Sequence, residues 1–393
     1  MKKTIKTIPS HEKPKTNRGP APDTSTLLML AARSGGRCEF EGCNRVLFRD
    51  GITLNEFNDT NVAHIVASNP NGPRGDAQRS YKLSNKIENL MLVCLEHHKM
   101  IDNKKLVSQY PEERLLEMKY RHEQAMEILG DALNHDPSRM LIFTSSIKGR
   151  QSVTIRKDHI LPAMLKTHRP AKSEPDYINV DCEYDYTHED FWRYADNLIV
   201  KRCRETIDNI VQLDHRTHFS VFPIAPIPFI IKLGYLMGDK IGAEVYQKRR
   251  HPDSWEWQTK SSGTKFEVVR HLFDVQENGV AVVMSLSAAK STDEIERFAR
   301  TVTSRLVYEL RATKPNVDCI STKDDLSNFW HEYLSLMDQI RSAHPDVKEI
   351  PLLPAVPVSA AFEIGRRFMQ GVYPNLIVYD VAGDFVKTLF IGA

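Results

Sequence analysis

The 393-residue chain has no apolar run long enough to cross a bilayer, and its N-terminus lacks the apolar core of a secretory signal. We therefore expect a cytoplasmic protein without membrane contact. Net charge is low, +2 at pH 7, which excludes a basic protein that coats nucleic acid, so any nucleic-acid contact should be local. Of six cysteines, Cys182, Cys203 and Cys319 are isolated and indicate no disulfide framework.

The other three cysteines belong to a different pattern. Cys38-x4-Cys43 and Cys94-x2-His97 are two pairs of soft ligands with the spacing that tetrahedral structural zinc uses. The segment around them is polar and too short to build an adequate core unaided, so metal binding can supply part of its folding free energy. An apolar run at 90–93 precedes Cys94 and a helical pattern follows it, which predicts a strand, a metal-held turn and a helix.

Two adjacent histidines follow Cys94. Neighbouring side chains on a helix point about 100° apart, so His97 and His98 cannot easily hold one ion. Spacing assigns His97 to the zinc and leaves His98 to face a second site with His64 and Asn89. The alternative, with the two histidines exchanged, stays open.

His64, Asn89 and His98 stand in the order His-x24-Asn-x8-His and, with the flanking cysteines, resemble the HNH nuclease family over roughly residues 30–105. The resemblance implies a ββα-metal fold. It also implies that His64 is the general base that activates water, that Asn89 orients this base, and that His98 binds a catalytic Mg²⁺ or Mn²⁺. Such chemistry is sound, because neutral imidazole accepts a proton and a hard cation stabilises phosphate charge.

Ala63 departs from the common HNH pattern, in which an Asp, Glu or His before the base helps to hold the metal. Oxygen donors that could substitute, although each is as readily a solvated surface group, are Glu56, Asp59 and Asn61. Asp102, four residues after His98, could act as its partner or be an ordinary helix-surface carboxylate.

Basic residues near the motif predict local, sequence-independent contact with double-stranded DNA. The first twenty residues hold six Lys or Arg against one Glu and open a basic tail over residues 1–25. The candidates for phosphate contact within the motif are Arg37, Arg74, Lys86 and Lys99.

The domain organisation follows from pattern changes. We place the nuclease at residues 26–108 and a linker at 109–137, which contains an amphipathic helix from Pro111 to His135. A second domain, 138–393, should open with strands at 140–145 and 151–155.

An approximate internal repeat marks the second domain. The segment 222–226, followed by an apolar helix and Gly234, parallels 353–357, followed by a helix and Gly365; both copies keep eight residues from Pro226 or Pro357 to the glycine. β-like segments follow at 243–246 and 376–379. A third unit joins a strand at 280–286 to a helical pattern over 293–309. These units predict a parallel α/β sheet.

Open parallel sheets bind ligands beyond the carboxyl ends of their strands. The segment 246–260 interleaves aromatic rings with cations, a composition that suits the bases and phosphates of a nucleotide. In an alternative of nearly equal weight, Trp255 and Trp257 lie on one face of a hairpin and cover apolar core. The candidate ligand-binding residues are Tyr246, Arg249, Trp255, Trp257, Lys260, Ser287, Pro226 and Pro357.

The C-terminal region resembles a SAVED domain, in which two fused CARF-like, Rossmann-like α/β units sense cyclic oligonucleotides. The whole chain thus resembles the HNH/SAVED effectors of bacterial CBASS anti-phage defence, an α+β multidomain class. The resemblance implies a homo-oligomer, a dimer or higher assembly, that cuts DNA after binding a cyclic di- or trinucleotide from a cognate nucleotidyltransferase.

Two other functions remain open. One is a ligand-controlled DNA-binding regulator with a non-catalytic zinc module, which Ala63 favours. The other is a restriction-type HNH endonuclease, which needs a basic second domain; the acidic stretches 176–190 and 324–346 disfavour it.

Overall fold

A computed structural model of the chain describes residues 18–146, 154–182 and 190–392. The chain divides into two compact units, Met1–Leu133 and Asn134–Ala393. Residues 1–17 of the expected basic tail (1–25) and residues 151–153 of the expected strand (151–155) lie outside the described residues, and residues 154 and 155 do not form a strand. Every helix in the described part of the chain is too short or too polar to span a bilayer.

The first unit has few regular elements around a small core. They are α1 (Thr24–Arg33), β1 (Asn61–His64), α2 (Ser80–Leu83), β2 (Leu90–Val93), α3 (Leu95–Ile101) and α4 (Glu112–Asp131). Strands β1 and β2 pair antiparallel, with His64 opposite Leu90. All four residues of β2 are buried, so the apolar run seen in the sequence is a fully buried strand of a two-stranded sheet.

The amphipathic helix expected from Pro111 to His135 forms as α4, followed by a 3-10 turn at Ala132–Asn134. Glu112 and Glu113 lie in its first turn, where carboxylates interact favourably with the helix dipole. Leu115 and Met118 are buried in the same core cluster as Leu30. The helix is therefore a packed part of the first unit as well as the segment that leads into the second.

The second unit contains two sheets and the helices that cover them. The first group of elements is β3 (Pro137–Thr144), α5 (Lys157–Met164), β4 (Arg169–Pro170), β5 (Asp176–Asn179), α6 (Phe191–Cys203), α7 (Asn209–Leu213), β6 (His218–Ile224), α8 (Ile227–Met237) and β7 (Gly242–Val245). The second group is β8 (Phe266–Leu272), β9 (Val280–Ser285), α9 (Thr292–Thr301), β10 (Leu306–Ala312), α10 (Lys323–Ala343), β11 (Glu349–Ala355), α11 (Val358–Arg366), β12 (Asn375–Ala382) and β13 (Asp384–Ile391).

The strand order of one sheet is β4-β3-β6-β7, with β5 also paired to β3, and all its pairs are parallel. The other sheet has the order β13-β12-β11-β9-β10-β8, with its four inner strands parallel and both edge strands antiparallel. The expected strand-helix-strand units are present as β6-α8-β7, β11-α11-β12 and β9-α9-β10. The helix expected over 293–309 is wrong beyond Thr301, because 306–309 belong to β10.

Helices α8 and α11 cross at the two glycines that mark the repeat. A Cβ atom on Gly365 would lie 1.9 Å from the carbonyl oxygen of Ile231, and one on Gly234 would lie 2.1 Å from that of Phe362. Only a residue without a side chain permits such an approach of two backbones. The equal spacing from proline to glycine in both copies therefore reflects a direct helix–helix contact.

Candidate functional site

Four metal-ligating side chains converge in the first unit. The ligand atoms of Cys38, Cys43, Cys94 and His97 all lie within 4.8 Å of one another. His97 Nδ1 is 3.1 Å from the Cys94 sulfur and 3.6 Å from that of Cys38. Three sulfurs and one imidazole nitrogen in a compact group form the donor set of tetrahedral structural zinc.

The electrostatics of this cluster also fit a cation. Burial raises the pKa of the Cys38 thiol to about 12, so its thiolate form needs a positive charge close by. Burial lowers the pKa of His97, which keeps the ring neutral and its nitrogen available as a ligand. Phe40 stacks on the His97 ring with centroids 4.0 Å apart and fixes its orientation.

The proposed base, His64, ends β1. Its Nε2 donates a hydrogen bond to the Ser84 carbonyl oxygen at 3.0 Å. Because a carbonyl can only accept, this contact places the proton of the neutral ring on Nε2 and leaves the Nδ1 lone pair free. Burial is the main cause that lowers the pKa of His64, and the charge of Arg18 acts in the same direction. His64 is thus a neutral proton acceptor at neutral pH.

Asn89 contacts backbone and not the His64 ring. Its Oδ1 accepts from the Val66 amide at 2.8 Å, and its Nδ2 donates to the carbonyls of Val66 and Leu83 at 2.9 and 3.3 Å. The side chain is buried. Asn89 therefore holds the segment directly after His64, and any orientation of the base comes through the backbone.

His98 lies on α3 next to His97 and is partly exposed. Its Nε2 lies 3.8 Å from Asp102 Oδ2, and both side chains are 34% exposed. An imidazole nitrogen and a carboxylate oxygen at an open position suit a hard divalent ion that completes its shell with water or phosphate. In the described part of the chain, the cysteine–histidine group is the one cluster of three or more potential metal ligands.

Among the substitutes considered for the missing ligand, Asp59 lies 3.8 Å from Arg45. Asn61 donates from its side chain to the Asp59 carbonyl, and Glu56 is exposed and forms a backbone bridge with Arg49. Ala63 itself is 1% exposed, so a side chain at this position points into the core.

Of the four residues expected to contact DNA, Arg74 is a correction. Its side chain is 8% exposed, and it binds the carbonyl oxygens of Ile65 and Ile101 and the carboxylate of Asp102. Its two remaining donors face the carbonyl oxygens of Tyr110 and His64, each at 3.5 Å, so no donor group is left to face a phosphate. Lys86 and Lys99 are exposed, and Arg37 is partly exposed with one donor on the Asn44 carbonyl.

In the second unit, the sequence places the expected ligand cleft beyond the carboxyl ends of the parallel strands. Pro226 and Pro357 each precede the first residue of a helix, α8 and α11, directly after β6 and β11. Ser287 follows β9, and its amide donates to the Ala355 carbonyl at the end of β11. Ser287 and Pro357 therefore lie at the same carboxyl edge of one sheet, and Pro226 lies at the carboxyl edge of the other sheet.

The expectation that the aromatic rings of the segment 246–260 contact a ligand is in part wrong. Trp255 and Tyr246 are each 1% exposed and pack on Phe222, with ring centroids 5.4 and 4.6 Å apart. They are core residues whose ring faces are covered by protein. The alternative of tryptophans that cover apolar core is correct for Trp255, and Trp257, although only partly buried, also packs against core clusters of the second unit.

Trp257 and Arg249 differ from Trp255, since each is only partly buried. Within the described residues, Trp257 Nε1 and Arg249 Nε are buried without a hydrogen-bond acceptor. Two unsatisfied donors in one segment are costly unless a bound group or water accepts from them. Lys260 is exposed.

Gln247 is a residue that sequence reasoning missed. Its Oε1 accepts from Ser359 Oγ at 2.5 Å, and its Nε2 donates to the carbonyls of Val317 and Ile320 at 3.3 and 3.4 Å. It thereby ties the end of β7 to the start of α11. The sequence carries no signal for this role, because the partners lie 70 to 112 positions away.

A comparison with protein-family models finds a match, which falls within the second unit. Residues 203–391 match the family model "SMODS-associated and fused to various effectors sensor domain", abbreviated SAVED. The match lies within the second unit, Asn134–Ala393, and spans just under half of the chain. A comparison with curated protein sequences finds no match.

Among solved structures, the chain is similar to the Cap4 SAVED/CARF-domain containing receptor of Acinetobacter baumannii. With the cyclic trinucleotide 2'3'3'-cAAA, that structure has TM-score 0.44 and 13% identity over 72% of this chain and 60% of that one. With 3'3'3'-cAAA the values are 0.44, 14%, 72% and 61%. The Moraxella osloensis receptor has 0.38, 12%, 75% and 64%. This chain thus spans less than two thirds of those proteins.

Proposed function

We propose that this protein is a metal-dependent endonuclease of double-stranded DNA that is activated when a cyclic oligonucleotide binds its SAVED domain. The nuclease would occupy residues 26–108 and the sensor residues 138–393, joined by the segment 109–137. The single observation that carries the proposal is that the same small core, β1-β2-α3 with its zinc-type cluster, carries all three expected catalytic residues. They are a neutral His64, Asn89, which holds the backbone after His64, and His98. A structural zinc module alone needs none of these three residues.

The chemistry assigned to the chain's own residues is hydrolysis by a histidine base. His64 Nδ1 accepts a proton from the attacking water, while its Nε2 keeps the bond to Ser84. Asn89 holds the segment after His64 and so fixes the strand from which the base projects. His98 would hold Mg²⁺ or Mn²⁺, and this ion supplies charge stabilisation to the phosphate and the leaving oxygen. Lys86, Lys99 and Arg37 would contact the DNA backbone.

Activation requires that the ligand prefers one assembly state. A cyclic di- or trinucleotide from a cognate nucleotidyltransferase can shift the protein toward a higher homo-oligomer only if it binds that state more tightly. The SAVED match supports the ligand class, and the unsatisfied donors of Arg249 and Trp257 support a pocket near them. In this setting the protein would act in anti-phage defence of the CBASS type.

One specific observation favours a second candidate. Position 63, where related nucleases place a metal ligand, carries a buried alanine. A ligand-controlled DNA-binding regulator with an inactive nuclease fold would tolerate this change.

Plasmid cleavage by the purified chain with Mg²⁺ tests the proposal, with and without a panel of cyclic di- and trinucleotides. We expect cleavage with one ligand alone, and none by His64→Ala, which should keep its zinc because His64 is outside the metal cluster. His159→Ala, an exposed histidine on α5, serves as the matched control and should cut normally. Ligand-independent cutting would favour a restriction-type enzyme, whereas ligand-dependent DNA binding without cutting would favour the regulator.

A further inference from the structure

Arg74 joins the two elements that carry the proposed nuclease centre. Its Nε donates to the Ile65 carbonyl at 2.6 Å, directly after the residue His64 that ends β1. Its Nη1 donates to the Ile101 carbonyl at 2.8 Å, at the last residue of α3. One guanidinium therefore bridges the strand of the base and the helix of His98.

The same side chain also fixes a carboxylate beside His98. Arg74 Nη2 donates to Asp102 Oδ1 at 2.9 Å, and the other oxygen of Asp102 faces His98 Nε2 at 3.8 Å. A planar guanidinium with several donors in a fixed fork suits this task, and a lysine could not make all three contacts. The carboxylate is thereby held in one orientation toward the histidine.

The surroundings of Arg74 indicate a dedicated site. Its backbone adopts φ +54°, a region that side-chain-bearing residues rarely occupy. Its side chain is 8% exposed, and burying a guanidinium is costly unless its donors are satisfied, as they are here. A solvent-facing phosphate contact would need neither the burial nor the unusual backbone.

We propose that Arg74 is a positioning residue of the nuclease centre. It holds β1 at a fixed spacing from α3 and aims Asp102 at His98, so that a divalent ion at His98 lies within reach of the water activated by His64. This inference rests on the proposed function, because it presupposes chemistry at His64 and His98. Residues that orient a metal ligand in this way typically affect metal affinity or activity by about 10- to 100-fold.

Arg74→Gly provides the sharpest test, because glycine adopts φ +54° without strain and leaves a cavity of guanidinium shape. We expect Mn²⁺ binding to the zinc-loaded protein, followed by electron paramagnetic resonance, to weaken about 10-fold or more. Millimolar guanidinium should restore it, and an equal concentration of ammonium should not. Zinc content must stay at the wild-type level. Arg79→Gly, an exposed arginine paired with Glu112, is the matched control and should leave Mn²⁺ affinity unchanged.

Asp102→Asn tests the aim of the carboxylate without removing the fold contact, since an amide oxygen still accepts from Arg74. It should weaken Mn²⁺ binding while zinc content stays at the wild-type level; the melting temperature should fall, because the buried guanidinium of Arg74 loses its counter-charge. If both variants bind Mn²⁺ as the wild type does, Arg74 is a structural residue and the proposal is overturned. If the wild type binds no Mn²⁺ beyond its zinc and cuts no DNA, the proposed function itself fails and the positioning role fails with it.

Discussion

Substitution of Gly365 by alanine should destabilise the second unit more than its size suggests. The added Cβ would lie 1.9 Å from the Ile231 carbonyl oxygen and 2.7 Å from the Tyr235 amide nitrogen. Both atoms are backbone of α8, so no side-chain rotation relieves the overlap. The two helices must move apart.

The magnitude follows from this geometry. Overpacking a well-packed core typically costs about 1 to 3 kcal/mol, and more where relief needs backbone movement. We expect about 3 kcal/mol for Gly365→Ala. In a unit of this size each kcal/mol lowers the melting temperature by about 2 to 4 °C, which predicts a fall of about 6 to 12 °C.

Differential scanning calorimetry of the full chain measures this effect, and Gly130→Ala is the matched control. Gly130 is also a helical glycine, on α4, but a Cβ there meets nothing within 4 Å. Alanine should therefore stabilise α4 by up to about 1 kcal/mol through helix propensity alone. Opposite signs at the two glycines would separate steric overlap from propensity.

The substitution should also act on the proposed ligand site. Helices α8 and α11 begin after Pro226 and Pro357, at the carboxyl ends of β6 and β11, so their crossing sets the distance between the two halves of the expected cleft. If the Gly365→Ala variant melts at the wild-type temperature, α8 and α11 do not cross as closely as described. The equal proline-to-glycine spacing would then not reflect a contact between these helices.

Two further predictions concern metal and pH. Cys94→Ala should lose zinc and lower the melting temperature of the first unit, because it removes a folding ligand; a zinc-free variant as stable as the wild type would contradict the metal-held turn. Burial, followed by the charge of His168, lowers the pKa of His218 to about 4. Because the unfolded chain, with an ordinary histidine pKa of about 6.5, binds the proton more tightly, stability in urea titrations should be full above pH 6.5 and decline as pH falls toward about 4. His218→Gln should flatten that slope, and an unchanged slope would exclude His218 as its source.

Local spacing predicted the metal cluster and the repeat because their information is short-range or regular. Cys94 and His97 are three positions apart on a turn that enters a helix, so their pairing is visible in the sequence. The distance from proline to glycine is equal in two copies, and that equality reports a contact between α8 and α11. The metal cluster and the repeat can therefore both be predicted without knowing which distant residues they contact in the fold.

The burial of the Trp255 and Arg74 side chains could not be predicted from local spacing. A Trp-x-Trp pattern is the same whether one ring stacks on a ligand or packs on Phe222, which lies more than thirty positions earlier. An arginine beside a nuclease motif is the same in sequence whether it meets a phosphate or the carbonyls of Ile65 and Ile101. Burial decides both cases, and burial depends on contacts between distant segments.

In the proposed nuclease, zinc and the catalytic ion would be coupled through α3. This helix has seven residues, too few to be stable in isolation, so it depends on contacts at its ends. Cys94 and His97 hold its first turn in the metal cluster, and Arg74 holds its last residue and Asp102. His98 lies between these two anchors. Under the proposed function, loss of either anchor would free the helix end and move His98 relative to His64, so a structural metal would be a condition of the chemistry without contacting water or phosphate.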